Sequence, residues 1–429
     1  MLPDEEVLPQ VVPDRPLPQS FKDLGLPEVF VANLTLKHCF YLDVFTLADL
    51  AARLKLPATV LSQVLEYLRR EKFMEARSAD PLMPAASALA LAHRQALTEA
   101  GKRRAAQLLE YDAYVGPAPV PLEDYRGQVR RQELRRVEVT PARLAAALHD
   151  LVLDPSLLAR LGPAAASGKP LFLYGASGNG KTSIALRLTQ LWDDAVLVPY
   201  ALYVEGHLIR VFDALTHPLW PGEERSEAAD RRWLRCRRPV VVAGGEVTLD
   251  LLALSFNPTL KYYEAPLQLK ANNGTLVLDD FGRQQASPQA LLNRWILPLE
   301  SRQDFLCLHT GHKFAFPFDL FLILSTNLEP LSLVDAAYLR RLPYKIQVPA
   351  PSREQYLEIW QRVCGLYGLE WDPDSGAHLL AHYYGDQRPL AACHPRDLVE
   401  QILTHARFHG EEPRLSRESL ERAGAAYFV

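Results

Sequence analysis

The chain has 429 residues, 48% of them hydrophobic and 23% charged, with a formal net charge of -4. That length predicts two or three domains of a soluble globular protein, and the charge balance excludes a global electrostatic pull towards nucleic acid. Its five cysteines (Cys39, Cys236, Cys307, Cys364, Cys393) are scattered and include no C-x-x-C pair, which argues against a zinc site or disulfide framework and for a reducing, cytoplasmic setting.

Residues 1–24 are acidic and Pro-rich, and predict a flexible tail without the layout of a signal peptide. From 25 to 112 the pattern is mostly helical. "TLADLAARLKL" starts at Thr46, and "PATVLSQVLEYLRREKFMEAR" follows with Pro57 near the helix start. Two short helices running into "KFMEAR" predict a small α+β domain, winged-helix-like, and "ALTEAGKRRAAQLLEY" predicts a wing strand, a turn at Gly101 and a closing helix. A second Pro-rich stretch, "YVGPAPVPLEDY", marks 113–139 as a linker.

Residue Thr140 with Pro141 opens the next helix. From there to 350 strand-like runs alternate with helices: "PLFLYG", "AVLVPY", "TLVLDD", "LFLILSTN" and "YKIQVP". That alternation predicts an α/β core with a parallel sheet covered on both faces. Residues 351–429 return to helical periodicity. The longest apolar runs, such as "LFLILS", are strand-length and predict no membrane insertion.

"LFLYGASGNGKTSIALRL" has the spacing G-x-x-x-x-G-K-T, with a strand before it and a helix after. Gly175, Ala176, Ser177, Gly178, Asn179 and Gly180 form a loop whose N–H groups can wrap phosphate. Lys181 can reach the β and γ phosphates of ATP, and the Thr182 hydroxyl can ligate Mg2+. A hundred residues on, "TLVLDD" ends in two carboxylates. Asp279 would serve the metal and Asp280 the attacking water. Asp is shorter than the Glu more usual at the second position, which raises the question of slow turnover.

These residues resemble the AAA+ ATPase family, closest in look to its MoxR-type and enhancer-binding-activator branches. The resemblance covers 140–429 and implies a nucleotide-binding core at 140–350 with a helical lid at 351–429. "LILSTN" resembles the sensor-one strand, with Asn327 beside the γ-phosphate. "DAAYLRRLPYKIQVPAPSREQY" is similar to the segment whose arginine reaches a neighbouring subunit's nucleotide, which makes Arg341 the first choice and Arg340 the alternate. "HPRDLVEQI" resembles the sensor-two helix, with Arg396 as its arginine. "DFLCLHTGHKFAFPFDLFLILSTN" has the look of a β-hairpin turning at "GHK", and 240–257 lies where those branches carry a loop inserted in a helix, without a GAFTGA-like sequence.

Family resemblance implies a homo-oligomeric, hexameric ring that hydrolyses ATP to remodel a protein partner. The alternative is a DNA-linked regulator using the winged helix. "RRWLRCRRP" offers five arginines around Trp233 as a contact for an acidic partner or nucleic acid, or as a solvated face. Tyr262 and Tyr263 offer a grip on polypeptide, against ordinary packing, which is the commoner use of aromatic residues. Helix 58–70 shows Thr59, Ser62, Gln63 and Glu66 before any arginine, which favours protein docking over DNA reading.

Overall fold

The computed structural model describes residues 13–76, 94–222, 226, 228–333, 336–384 and 388–428. Five short segments build its centre: β1 (Leu171–Tyr174), β2 (Val240–Ala243), β3 (Thr275–Leu278), β4 (Phe321–Thr326) and β5 (Tyr344–Gln347). They pair in the order β5-β1-β4-β3-β2, all parallel. Side chains alternate across the pleat. Leu171, Leu173, Val277, Phe321 and Ile323 pack under helices Pro155–Ser167 and Lys181–Leu188. Phe172, Leu276, Leu278, Leu322 and Leu324 face the other way, under helix Pro288–Ser301 with its buried Trp295. Cover on both faces explains why the three inner strands read as unbroken apolar runs. The fold is α/β with a five-stranded parallel sheet.

One expected strand goes elsewhere. "AVLVPY" does not enter the central sheet: Ala195–Pro199 pairs antiparallel with Trp233–Arg237. The fifth central strand is Val240–Ala243, inside the stretch expected to carry an inserted loop. A short apolar run carries no information about its partner, so both assignments satisfied the pattern. A second five-stranded sheet runs Ser255–Phe256, Tyr263–Glu264, His207–Arg210, Ala201–Val204, Val120–Pro121. Beside it lies the expected hairpin, Gln303–Cys307 paired with Lys313–Pro317, with Gly311 at φ +86° in its turn.

Ahead of the sheets stand helices Glu28–Phe40, Leu47–Leu54 and Ala58–Arg70, then Met74–Ala76 paired antiparallel with Gln95–Leu97, then helix Glu99–Tyr111. Thr46 and Asp49 close a capping box on Leu47–Leu54, as the start signal predicted. Gly101 is not a turn. Thr98 caps the helix and Gly101 is buried inside it, where a Cβ would lie 2.1 Å from the Phe73 carbonyl oxygen. Its glycine serves close approach of two backbones, which a local reading mistakes for a break. The segment 77–93 between the paired strands and residues 1–12 of the expected tail lie outside the described residues.

The described part of the stretch read as a tail is bound to the core. Arg15 pairs with Asp124 at 2.7 Å, and the Leu17 N–H donates to the Ala228 carbonyl. The stretch read as a linker holds helix Leu122–Arg131. Most of the basic run 231–238 is engaged with acids and carbonyls of the chain itself, while Arg231 and Arg237 are exposed. Arg232 is 2% exposed, pairs with Asp230, and donates to the carbonyls of Leu24 and Pro119 at 3.2 Å each. Arg238 pairs with Asp194 and donates to the carbonyls of Gln132 and Asn273. Arg235 pairs with Asp14 and Arg237 with Asp193. Trp233 is buried beneath the Arg15 guanidinium. Buried guanidinium groups persist only when paired and hydrogen-bonded, and these four acids lie outside the run itself or at its margin. Tyr262 and Tyr263 are also buried, Tyr262 against Tyr114 and Tyr263 bonded to His309, so they pack and do not grip.

The chain ends in helices Arg353–Tyr367, Pro373–Tyr383, His394–His409 and Arg417–Tyr427, which share a core of Tyr356, Trp360, Leu398 and Leu420. Among the described residues no helix is long and apolar enough to cross a membrane.

Gly101→Ala should lower the unfolding free energy by about 1–3 kcal/mol through overpacking. Gly127→Ala, in helix Leu122–Arg131 with nothing within 4 Å of the new Cβ, should raise it by roughly 0.5–1 kcal/mol. Urea unfolding of the two variants tests the contrast.

Candidate functional site

β1 ends at Tyr174, and the chain turns through Gly175–Gly180 into helix Lys181–Leu188. The three glycines hold φ of +142°, +81° and +84°, a region that strains residues with a Cβ. Space forbids a Cβ at two of them as well. At Gly175 it would lie 2.3 Å from the Val348 carbonyl oxygen, and at Gly178 2.6 Å from Cys393 Sγ. The Cys393 N–H donates to the Gly178 carbonyl at 2.9 Å. The loop is therefore held between the segment after β5 and the start of helix His394–His409.

Lys181 is buried, and its Nζ donates to the Ala176 carbonyl at 2.9 Å. Burial pulls its pKa below the usual lysine range, while the carboxylates of Asp279 and Asp280 act against that fall. Thr182 Oγ1 donates to Asp279 Oδ2 at 2.7 Å. Lys181, Thr182, Asp279 and Asp280 are thus brought together from segments a hundred residues apart. β4 lies between β1 and β3, so Thr326 and Asn327 emerge between the loop and the acidic pair. Asn327 Oδ1 is buried without a donor among the described residues, and so is Asn179 Oδ1 in the loop. Ala176 and Ser177 are exposed.

Asp280 is exposed and sits at φ +49°. Asp and Asn enter this left-handed region more readily than Glu. The backbone thus favours the shorter acid, a reason invisible in the sequence. The Thr182–Asp279 oxygen pair suits a hard cation such as Mg2+, and the glycine loop's N–H groups suit an anion.

The arginines are placed differently. Arg341 Nε donates to Glu300 Oε1 at 2.7 Å, on helix Pro288–Ser301, and Arg340 is exposed. Arg396 is exposed and lies 3.8 Å from both Asp397 and Glu400 on its own helix, one turn beyond Cys393. A cleft lined by Val152, Leu153, Asn179, Val348, Ile359 and Ala392 opens beside the loop. Sequence reasoning missed the apolar members of this lining because each comes from a different segment and none belongs to a local motif.

A family described as Domain of unknown function (DUF8689) matches residues 352–426, the C-terminal helices. No curated protein matches the chain. Among solved structures, the RuvB Holliday junction branch migration motor of Thermotoga maritima is similar at 13% identity and a TM-score of 0.35, over 63% of this chain and 67% of that one. NtrX from Brucella abortus in complex with ATP is similar at 16% identity and a TM-score of 0.37, over 80% of this chain, which spans 64% of that one.

Gly178→Ala should push helix His394–His409 off the loop, since the new Cβ meets Cys393 Sγ at 2.6 Å and Ala391 Cβ at 3.4 Å. Hydrogen exchange should then speed up in 388–428 by roughly tenfold or more, as expected for about 1–3 kcal/mol of lost docking.

Proposed function

We propose that this chain is an AAA+ ATPase: it binds ATP with Mg2+ between the glycine loop and the C-terminal helical lid, hydrolyses it, and uses the cycle to remodel a protein partner. The observation that carries this reading is the 2.7 Å bond from Thr182 to Asp279 beside the buried, doubly countered Lys181. Chance glycine turns do not bring a lysine, a hydroxyl and two carboxylates to one helix start.

In this reading the loop N–H groups and Lys181 bind the phosphates. Thr182 and Asp279 hold Mg2+, which when bound supplies charge neutralisation at the β and γ phosphates. Asp280 takes the proton of the attacking water. Asn327 orients that water, and its unpartnered Oδ1 is an acceptor suited to the task. The base lies beside the loop near Val348 and Ile359, where a small cleft opens. Arg396 acts from the same chain's lid. Arg341, with Arg340 as alternate, acts on a neighbour's nucleotide in a hexameric ring. Its present partner Glu300 is displaced on assembly.

Two features support a protein partner over DNA. Four arginines of the run 231–238 are paired with acids of this chain, and two of them, Arg232 and Arg238, are buried. The exposed face of helix Ala58–Arg70, in a unit read as winged-helix-like, begins with Thr59, Ser62, Gln63 and Glu66 and so lacks early phosphate contacts. Free thiols at Cys39, Cys307, Cys364 and Cys393 fit a cytoplasmic setting.

Steady-state ATP hydrolysis measured across protein concentration tests the reading. Specific activity should rise steeply with concentration. Lys181→Ala should abolish nucleotide binding. Asp280→Asn should keep binding and lower hydrolysis by about a hundredfold or more. Activity flat with concentration would remove the ring, and ATP binding without turnover would remove the enzyme.

A further inference from the structure

The acidic turn is stapled by one side chain to which no role has been given. Gln284 is 9% exposed. Its Nε2 donates to the carbonyls of Asp279 at 2.9 Å and Asp280 at 3.2 Å, and its Oε1 accepts from the Gly282 N–H at 2.8 Å. Three of the turn's backbone polar groups are thus bound by a single amide. The opposite side of the turn is held by β4: the Phe281 N–H donates to the Ser325 carbonyl at 2.7 Å, and Thr326 Oγ1 donates to the Phe281 carbonyl at 2.6 Å.

The turn needs such a clamp. Asp280 has φ +49° and Gly282 φ +106°, so two of three consecutive residues lie in left-handed or neighbouring backbone regions. Asp280 also has a short side chain. With only two side-chain torsions, its carboxylate goes where the backbone sends it, whereas a Glu could compensate with a third. In this chain the accuracy of the acid is therefore a property of the turn.

We propose that Gln284 is a positioning residue for hydrolysis: it fixes the backbone of Asp279 and Asp280 so that the short Asp280 carboxylate meets the water beside the γ-phosphate. This rests on the hydrolytic reading above. In this role Gln284 acts through the backbone of Asp279 and Asp280.

The test is Gln284→Met, of similar length without the amide, and Gln284→Glu, which keeps an acceptor for Gly282 and loses both donors. Each is measured for kcat, KM for ATP, nucleotide Kd and Tm, alone and combined with Asp280→Asn. The expected result is a kcat lowered by between about tenfold and a hundredfold, the range for a displacement near 1 Å, with KM and Kd within about twofold of wild type. With Asp280→Asn already present, either change should cost little more, because the two residues act as one unit. Wild-type kcat in both variants overturns the role, and so does a full additional loss on top of Asp280→Asn. If one variant is unfolded by Tm, the other decides. A wild-type chain that binds ATP without turning it over removes the hydrolytic reading and this role together, whereas a turning-over wild type with unaffected variants removes this role alone.

Discussion

Strand β4 stands between β1 and β3, and the site depends on that order. Parallel neighbours end at one edge of the sheet, where ligands of open α/β folds bind. The glycine loop, Asn327 and the acidic pair therefore emerge side by side. With strands about 4.8 Å apart, the loop strand and the acidic strand are separated by roughly 10 Å. Thr182 closes that gap from the first turn of its helix, by donating to Asp279. Exchange of two strands would leave every motif residue present and the cluster dispersed.

The same strand links the site to the rest of the molecule. β4 continues backwards into the hairpin Gln303–Pro317, and the hairpin is held to the second sheet. Arg126 donates to the Ala315 carbonyl at 2.9 and 2.6 Å, and Tyr263 bonds His309 near the hairpin turn. That second sheet also shares a core with the N-terminal helices, through Ala201, Leu208 and Tyr262. Packed elements thus run without a break from Asn327 to helix Glu28–Phe40. At the other end of the site, the Cys393–Gly178 bond ties the C-terminal helices to the loop.

The parts of this arrangement legible in the sequence are local. The loop's spacing, the acidic strand and its three apolar leaders, the capped helix at Thr46 and the hairpin turn at "GHK" each lie within a dozen residues. What the sequence hid depends on distant partners. "AVLVPY" reads equally well as a central strand or a hairpin strand, and only its pairing with Trp233–Arg237 decides. The arginine run looks like surface because its acids, Asp14, Asp193 and Asp194, are remote. Gly101 looks like a turn until Phe73 is seen against it. The left-handed φ that suits Asp280 is not written in residue type, and Gln284 beside it had no signal at all.

The inward arginines also set an order of events at the ribosome. Arg232 is bonded to the carbonyl of Leu24, 208 positions earlier. At about 5–20 residues per second, synthesis of that interval takes on the order of 10–40 s. Through that time the N-terminal helices are made, yet the surface that Ala201, Leu208 and Tyr262 will cover stays open to water. The N-terminal helices are thus synthesised well before the residues that complete their core.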